Sequence, residues 1–419
     1  MVDIKPFRGL RPVPEHVEEV SSLPYDVLSS EEARQRAAGH PLSFLHVIKP
    51  EIDLPAATDP HAPEVYSKGR ENLEKLIGQS ILKQDESPHF YLYRLQMNDR
   101  VQTGLVALAS AVDYLEGRIK KHEHTRPDKE QDRVNLMNSL DAQTGPVFLM
   151  VRDTQEIGQL MTQCADAEPV YDFVSDYDIR HTFTRIDDPD LLDRIENTFR
   201  KVDALYVADG HHRSAAASRV YEMRKKDNPS HQGDEPYNYF LSVIFPDSQL
   251  HIFDYNRAVR DLNGLSTDEF LNRLKNQFDA SLYQAGDDAQ KACRPESLHR
   301  FGMYLEGKWY LLQAKPGTFS ETDPIGQLDV TILQNNLLTP ILGIGDPRTD
   351  ERIHFVGGIR GLTELEQLVD SGAYQVAFSM HPTRIDQLMT VADANLVMPP
   401  KSTWFEPKLR SGLIIHMLH

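Results

Sequence analysis

The stretch Ala204-Leu205-Tyr206-Val207-Ala208-Asp209-Gly210-His211-His212-Arg213-Ser214-Ala215-Ala216-Ala217 changes character at its centre. Its first part is a short apolar run that reads as a buried strand. Gly210 allows a backbone turn that a Cβ would strain. From His211 onward the alanines, with Val220 and Met223 beyond them, read as a helix. Upstream, Asp188-Pro189-Asp190 starts another helix, whose Leu191, Leu192, Ile195 and Phe199 form one apolar stripe. The order is therefore helix, strand, turn and helix, and the turn is the point of chemical interest.

Working outward, Tyr239 to Phe245, Val147 to Val151 and Ile179 to Ile186 have strand character, and His89 to Met97 is apolar on both faces, as suits a central strand. Thr103 to Tyr114 is a further strand-like run, and Ala62 to Ile81 has helical spacing. Ser30 is placed to open a short helix. Beyond residue 260, Ser266-Thr267-Asp268-Glu269 and Thr363-Glu364-Leu365-Glu366 have capping-box form. The first is expected to lead a helix through Phe278. Phe301 to Ala314 reads as a hairpin about Glu306-Gly307. Strands and helices interleave without a regular βα rhythm, which predicts an α+β (mixed α/β) fold with a mixed sheet core. The expected division is an N-terminal and central α/β region, 1–260, and a C-terminal α/β region, 261–419, that contributes the 398–408 loop.

The 419 residues are 40% hydrophobic and 26% charged, enough for a sizeable core. Lys and Arg number 45 against 63 Asp and Glu, a net charge of −18. That balance argues against nucleic acid and anionic membrane as partners, because both need neutralising cations. Two cysteines, Cys164 and Cys293, cannot make a disulfide framework and are expected as buried thiols. The N-terminal residues lack the apolar core of a signal peptide, and no apolar run is long enough to span a bilayer. A cytoplasmic location is expected.

Three constellations carry candidate chemistry. At the start of the helix that follows Gly210, the first N–H groups have no intrahelical partners, and with the helix dipole they form an anion site. His211, His212 and Ser214 add donors there, and Arg213 offers a planar fork for phosphate oxygens. Asp209 is placed to cap the helix, hold a magnesium ion or orient a histidine. The second constellation is Lys120-Lys121-His122-Glu123-His124-Thr125-Arg126, running on to Arg133. From Arg118 to Arg133 there are six basic and four acidic residues, a positive island in an acidic chain. His122-Glu123-His124 hints at metal, but the sequence shows no third ligand. This island is expected to lie beside the 209–214 turn, with His122 and Glu123 catalytic and Thr125 and Arg133 holding substrate. The third is Pro399-Pro400-Lys401-Ser402-Thr403, where Lys401 and Ser402 either bind phosphate or form a turn whose hydroxyls bond the backbone. The N-terminal entry adds Arg8, also placed among candidate substrate contacts. No Gly-x-x-x-x-Gly-Lys-Ser/Thr loop and no Gly-x-Ser-x-Gly elbow is present.

Asp209-Gly210-His211-His212-Arg213 resembles the signature of the ParB/sulfiredoxin-like superfamily, and within it the branch that includes the free serine kinases. The whole chain also resembles a large bacterial and archaeal family of unknown function. The resemblance rests on Lys5-Pro6-Phe7-Arg8-Gly9, Pro24-Tyr25-Asp26-Val27, His122-Glu123, Asp132-Arg133, Ala208 to Ala217 and Met398 to Thr403. It implies a helix start that binds nucleotide phosphates and a link to serine metabolism. It carries no DNA-binding helices.

The function expected on these grounds is a nucleotide-dependent small-molecule kinase acting on free L-serine or a similar hydroxylated metabolite. ATP or ADP with Mg²⁺ would be its cofactors, with Asp209 as the metal-holding residue. Asp209, His211, Glu123 and His122 form the expected catalytic set. Gly210, His212, Arg213, Ser214, Lys401 and Ser402 form the phosphate-binding set. A homodimer is left open. The alternatives are a non-catalytic nucleotide-binding regulator and a phosphate-ester hydrolase.

Overall fold

A run of five buried residues, Val147-Phe148-Leu149-Met150-Val151, lies near the middle of the larger sheet, where both faces are covered. The computed structural model describes residues 1–165, 167–283 and 287–419. It divides into two units: residues 1–250 joined by 407–419, and residues 251–406. The first unit thus ends at 250 rather than 260 and recovers the C-terminal tail.

Among the described residues, the first unit's main sheet has nine strands. They are β1 (Ile4–Lys5), β2 (Phe90–Met97), β3 (Arg100–Ser110), β4 (Ile119–Lys120), β5 (Val147–Val151), β6 (Pro169–Ser175), β7 (Ile179–Ile186), β8 (Leu205–Asp209) and β9 (Tyr239–Pro246). The spatial order is β4-β8-β5-β9-β3-β2-β7-β6, with β1 on β3. Two pairs are parallel, β8 with β4 and β9 with β5, and the remaining pairs are antiparallel. The mixed sheet expected from the sequence is therefore what forms.

The helix His211–Asp227 follows β8 directly and buries Ala215, Ala216, Ala217, Val220 and Tyr221 in the sheet's core. Three successive alanines let this helix lie close to its neighbours, because there is little side chain to hold it away. The helix Pro127–Leu140 packs against it. Asp132 on that helix accepts from Tyr66 Oη and lies 2.9 Å from His61 Nδ1, which ties in the helix Pro63–Gly78. The C-terminal tail pairs His416–Met417 with Ala142–Gln143, and Ile415 bridges Leu10.

In the second unit the described residues form a six-stranded antiparallel sheet. Its order is Phe278–Tyr283, Lys308–Ala314, Arg300–Leu305, Val376–Met380, Tyr255–Val259 and Ile353–Gly357. The hairpin turns on Glu306 (φ 49°) and Gly307 (φ 71°), both left-handed as a tight two-residue turn demands.

Some local expectations need correction. Ser29, not Ser30, caps its helix, in a box with Glu32. The strand from Arg100 stops at Ser110, whose Oγ accepts from Asp113 N and starts the helix Ala111–Leu115. The helix after Ser266 ends at Leu274, and Phe278 opens a strand instead. Thr363 caps nothing, because a 3₁₀ turn at Gly358–Arg360 feeds the helix Gly361–Asp370, whose cap position is Arg360, three residues earlier. Both cysteines are buried free thiols. Among the described residues no helix is long and apolar enough to cross a membrane.

Candidate functional site

Strand β8 shifts register against β5 between Val207 and Asp209, a local irregularity that re-aims the strand end. Gly210 then takes φ 94° and ψ 30°, and the 17-residue helix begins at His211. A Cβ at Gly210 would stand 3.0 Å from Arg213 Cζ and Nε. Glycine is required here twice over, by its backbone angle and by the guanidinium folded against it.

Successive side chains of the first turn fan out at about 100° per residue. His211 turns inward and is 5% exposed. Its ring meets His122 edge-on, with centroids 4.5 Å apart, and its Nδ1 lies 3.9 Å from Glu123 Oε2. His212 is half-buried and accepts from the backbone N–H of Arg126 at 3.0 Å. Arg213 is buried and donates to the Pro146 carbonyl and, at 3.1 Å, to Asp209 Oδ2. Its Nη2 also lies 3.6 Å from Asp26 Oδ2. The island at 118–133 and the turn at 209–214 are thus neighbours.

The electrostatics divide along the same fan. Burial holds His122 down to about 4, against a small opposing pull from its bond to the Val207 carbonyl. Burial and the adjacent His122 hold His211 well below the ordinary histidine value. Both imidazoles are neutral at pH 7. On the other side, burial opposes charge on Asp209, but Lys408, 3.8 Å away, and Arg213 outweigh it and bring the carboxyl down to about 2. Burial likewise opposes charge on Arg213, and Asp26 and Asp209 overcome it.

Asp209 therefore does not cap the helix; the cap residue is Gly210, with no side-chain cap bond. Its Oδ2 faces two cations, Arg213 at 3.1 Å and Lys408 at 3.8 Å. Ser214 is fully buried, and its Oγ bonds back to the His211 carbonyl at 3.1 Å, so it serves the helix and does not face a ligand. Thr125 Oγ1 donates to Glu130 Oε2 at 2.8 Å. Glu130 in turn binds Arg219, so Thr125 belongs to the join between two helices. His124 is exposed.

Arg133 stacks on Tyr25, with Cζ 3.9 Å from the ring centroid, and pairs with Asp132 at 2.6 Å. Arg133, Arg213, Tyr25, Thr144, Gly145 and Ser411 share a small cavity of about 20 Å³, with room for a water-sized group. Arg8 is exposed, and its Nε donates to the Asp85 carbonyl at 3.0 Å. Lys401 and Ser402 belong to the second unit. There Ser402 Oγ donates to the Pro399 carbonyl at 2.6 Å, and the Lys401 carbonyl accepts from buried Arg257 at 2.9 Å. The hydroxyl thus bonds the backbone, as a turn former does. Sequence reasoning missed Lys408 and Asp26 as partners of the turn; both stand within segments singled out for other reasons.

The chain matches the family described as protein of unknown function (DUF1015) over residues 4–331. No curated protein matches it. Among solved structures it is similar to a free serine kinase variant in complex with AMP. The identity there is 12% and the TM-score 0.35, over 74% of this chain and 89% of that one. It is similar also to a conserved hypothetical protein from Pyrococcus furiosus, at 13% identity and TM-score 0.32 over 74% and 93% of the two chains. A third is C-terminally truncated SbnI from Staphylococcus aureus, at 10% identity and TM-score 0.37 over 73% and 84%. The family match spans most of the sequence, including the Asp209–Arg213 turn and the His122–Glu123 segment beside it, and the chain belongs to the DUF1015 family.

Proposed function

We propose that the protein is a nucleotide-dependent phosphotransferase acting on a small hydroxylated metabolite, with free L-serine the favoured acceptor. One observation carries this reading. A left-handed Gly210 delivers a strand directly into a long helix, whose first turn joins a neutral imidazole–carboxylate cluster to a cationic one. Phosphoryl transfer is mainly positioning and charge stabilisation, so the two halves divide the work. The helix start and Arg213 face the phosphates, and Asp209 holds Arg213 and Lys408 in place. Arg213 Nε is buried without a hydrogen-bond partner and remains available as a donor. Glu123, whose side chain is 39% exposed beside His211, takes the acceptor's proton. Bound nucleotide would bring its own magnesium ion, held largely by phosphate oxygens.

Phosphate-ester hydrolysis at the same turn is the second reading, favoured by the His122–Glu123–His211 grouping. Product analysis separates the two. A kinase gives phosphorylated acceptor and the shortened nucleotide in equal amounts and needs the acceptor. A hydrolase releases inorganic phosphate without one. Nucleotide binding with neither product would overturn both readings and leave a regulator.

A further inference from the structure

We infer that His122, Glu123 and His211 form a binding site for a divalent transition-metal ion of the zinc class. One side-chain donor atom from each residue lies within 4.8 Å of those from the other two. Around a tetrahedral ion with bonds of about 2.0–2.1 Å, neighbouring donors stand about 3.3 Å apart. Glu123 is the residue able to move and close that gap, because its side chain is partly exposed while both imidazoles are buried.

The imidazoles are prepared for ligation in different ways. One ring nitrogen of His122 donates to the Val207 carbonyl on β8. Such a bond fixes the ring and its tautomer and leaves the lone pair on the other nitrogen, as the outer partners of metal-bound histidines do. His211 is 5% exposed, and its Nε2 is buried with no hydrogen-bond partner. Burying a donor or acceptor without a partner costs stability, so the native fold retains this nitrogen against that penalty. Two nitrogens and one carboxylate oxygen suit zinc, cobalt, nickel, iron or manganese, whereas magnesium prefers an all-oxygen shell. Three protein ligands leave at least one position open, the arrangement of catalytic sites and not of structural ones. The third ligand that the sequence does not reveal is His211, and His124 is not part of the set.

The inference stands on this geometry and not on the reaction proposed above. With the ion bound, Glu123 is a ligand, and lowering the pKa of a bound hydroxyl or water passes to the metal.

The test uses tag-free full-length protein stripped with EDTA and titrated with Co²⁺, whose visible absorption reports the ligand field. Zn²⁺ and Mg²⁺ serve as competitors. Wild type should bind a single Co²⁺ that Zn²⁺ displaces and excess Mg²⁺ does not. Glu123→Gln and His211→Ala should weaken binding by more than the roughly 10–100-fold that loss of an outer-shell partner costs. His124→Ala should bind as wild type does, and circular dichroism should show each variant folded. Should His211→Ala fail to fold, Glu123→Gln decides alone. The inference fails if wild type takes up no Co²⁺, if Mg²⁺ displaces it, if Glu123→Gln binds normally, or if His124→Ala loses as much. Nucleotide titration of Arg213→Ala probes the phosphotransferase reading separately, so either can fail without the other.

Discussion

Replacing Arg213 with alanine tests how one side chain both anchors the turn and faces a ligand. The guanidinium donates to the Pro146 carbonyl and to Asp209 Oδ2, and lies 3.6 Å from Asp26. Removing one member of a buried ion pair costs about 3–5 kcal/mol, because the other charge is stranded. Asp209 keeps Lys408 at 3.8 Å, and Asp26 is 35% exposed and stays hydrated, so the lower end applies. Arg213→Ala should therefore lose about 3 kcal/mol in urea unfolding followed by circular dichroism. The helix itself should persist, since alanine is the better helix former. Loss of one charge-assisted phosphate contact, about 1.5–3 kcal/mol, should weaken nucleotide binding by about tenfold to a hundredfold in calorimetric titrations with ATP, ADP and CTP. Arg213→Lys keeps the charge but not the fork, so it should recover part of the stability and keep the protein folded for the binding measurement. A stability change below about 1 kcal/mol would refute the anchoring argument. Equal affinity in wild type and both variants for every nucleotide would show that Arg213 does not face phosphate, and the phosphotransferase reading would go with it.

Gly210→Ala should cost more than the roughly 1–2 kcal/mol of a left-handed residue, because the new Cβ also meets Arg213. Gly39→Ala, with φ 78° and open space around it, should cost only that backbone term in the same denaturation assay. Burial holds His181 down to about 3 and His416 to about 4. The unfolded chain therefore binds more protons than the native one below the ordinary value of about 6.5, and stability should fall as pH drops towards 4. Each group adds at most about 1.4 kcal/mol per pH unit, and His416→Gln should flatten the slope; urea midpoints that do not move between about pH 7 and pH 5 would contradict this. Ser402→Ala removes the bond to the Pro399 carbonyl and should cost about 1 kcal/mol of stability by thermal denaturation.

The parts of the fold that were legible are those decided by local chemistry. Gly210 announces a turn because the residues before it are apolar and those after it are helix formers. Glu306-Gly307 announces a hairpin for a related reason. The errors are also local in origin. Thr363 has the form of a capping box, but the 3₁₀ turn before it starts the helix early, and a serine pair at 29–30 offers two caps for one helix. Arg213 was legible as a phosphate fork, but not as a buried tie to Pro146, Asp209 and Asp26. Those partners come from three separate segments, one of them in the N-terminal entry. Lys408 reaches Asp209 because the tail pairs with residues 142–143, a contact no sequence period encodes.

The position of the candidate site depends on one pairing that only the fold supplies. Strands β4 and β8 are parallel, with Ile119 opposite Leu205 and Lys120 opposite Tyr206. Counting forward in that register places His122 level with Ala208, so both strands deliver their succeeding residues to the same end of the sheet. Strand β4 runs on into His122-Glu123, and β8 ends at Asp209 and runs on into Gly210-His211. An antiparallel pairing of the same two strands would send these segments to opposite ends and dissolve both the imidazole pair and its carboxylate. Parallel strands leave their carboxyl ends side by side, which is where open α/β sheets bind their ligands. The second segment also contributes a helix start, so an imidazole–carboxylate cluster and a partly unsatisfied row of N–H groups meet there. Two short motifs about eighty residues apart, each ambiguous alone, thereby become one chemical environment.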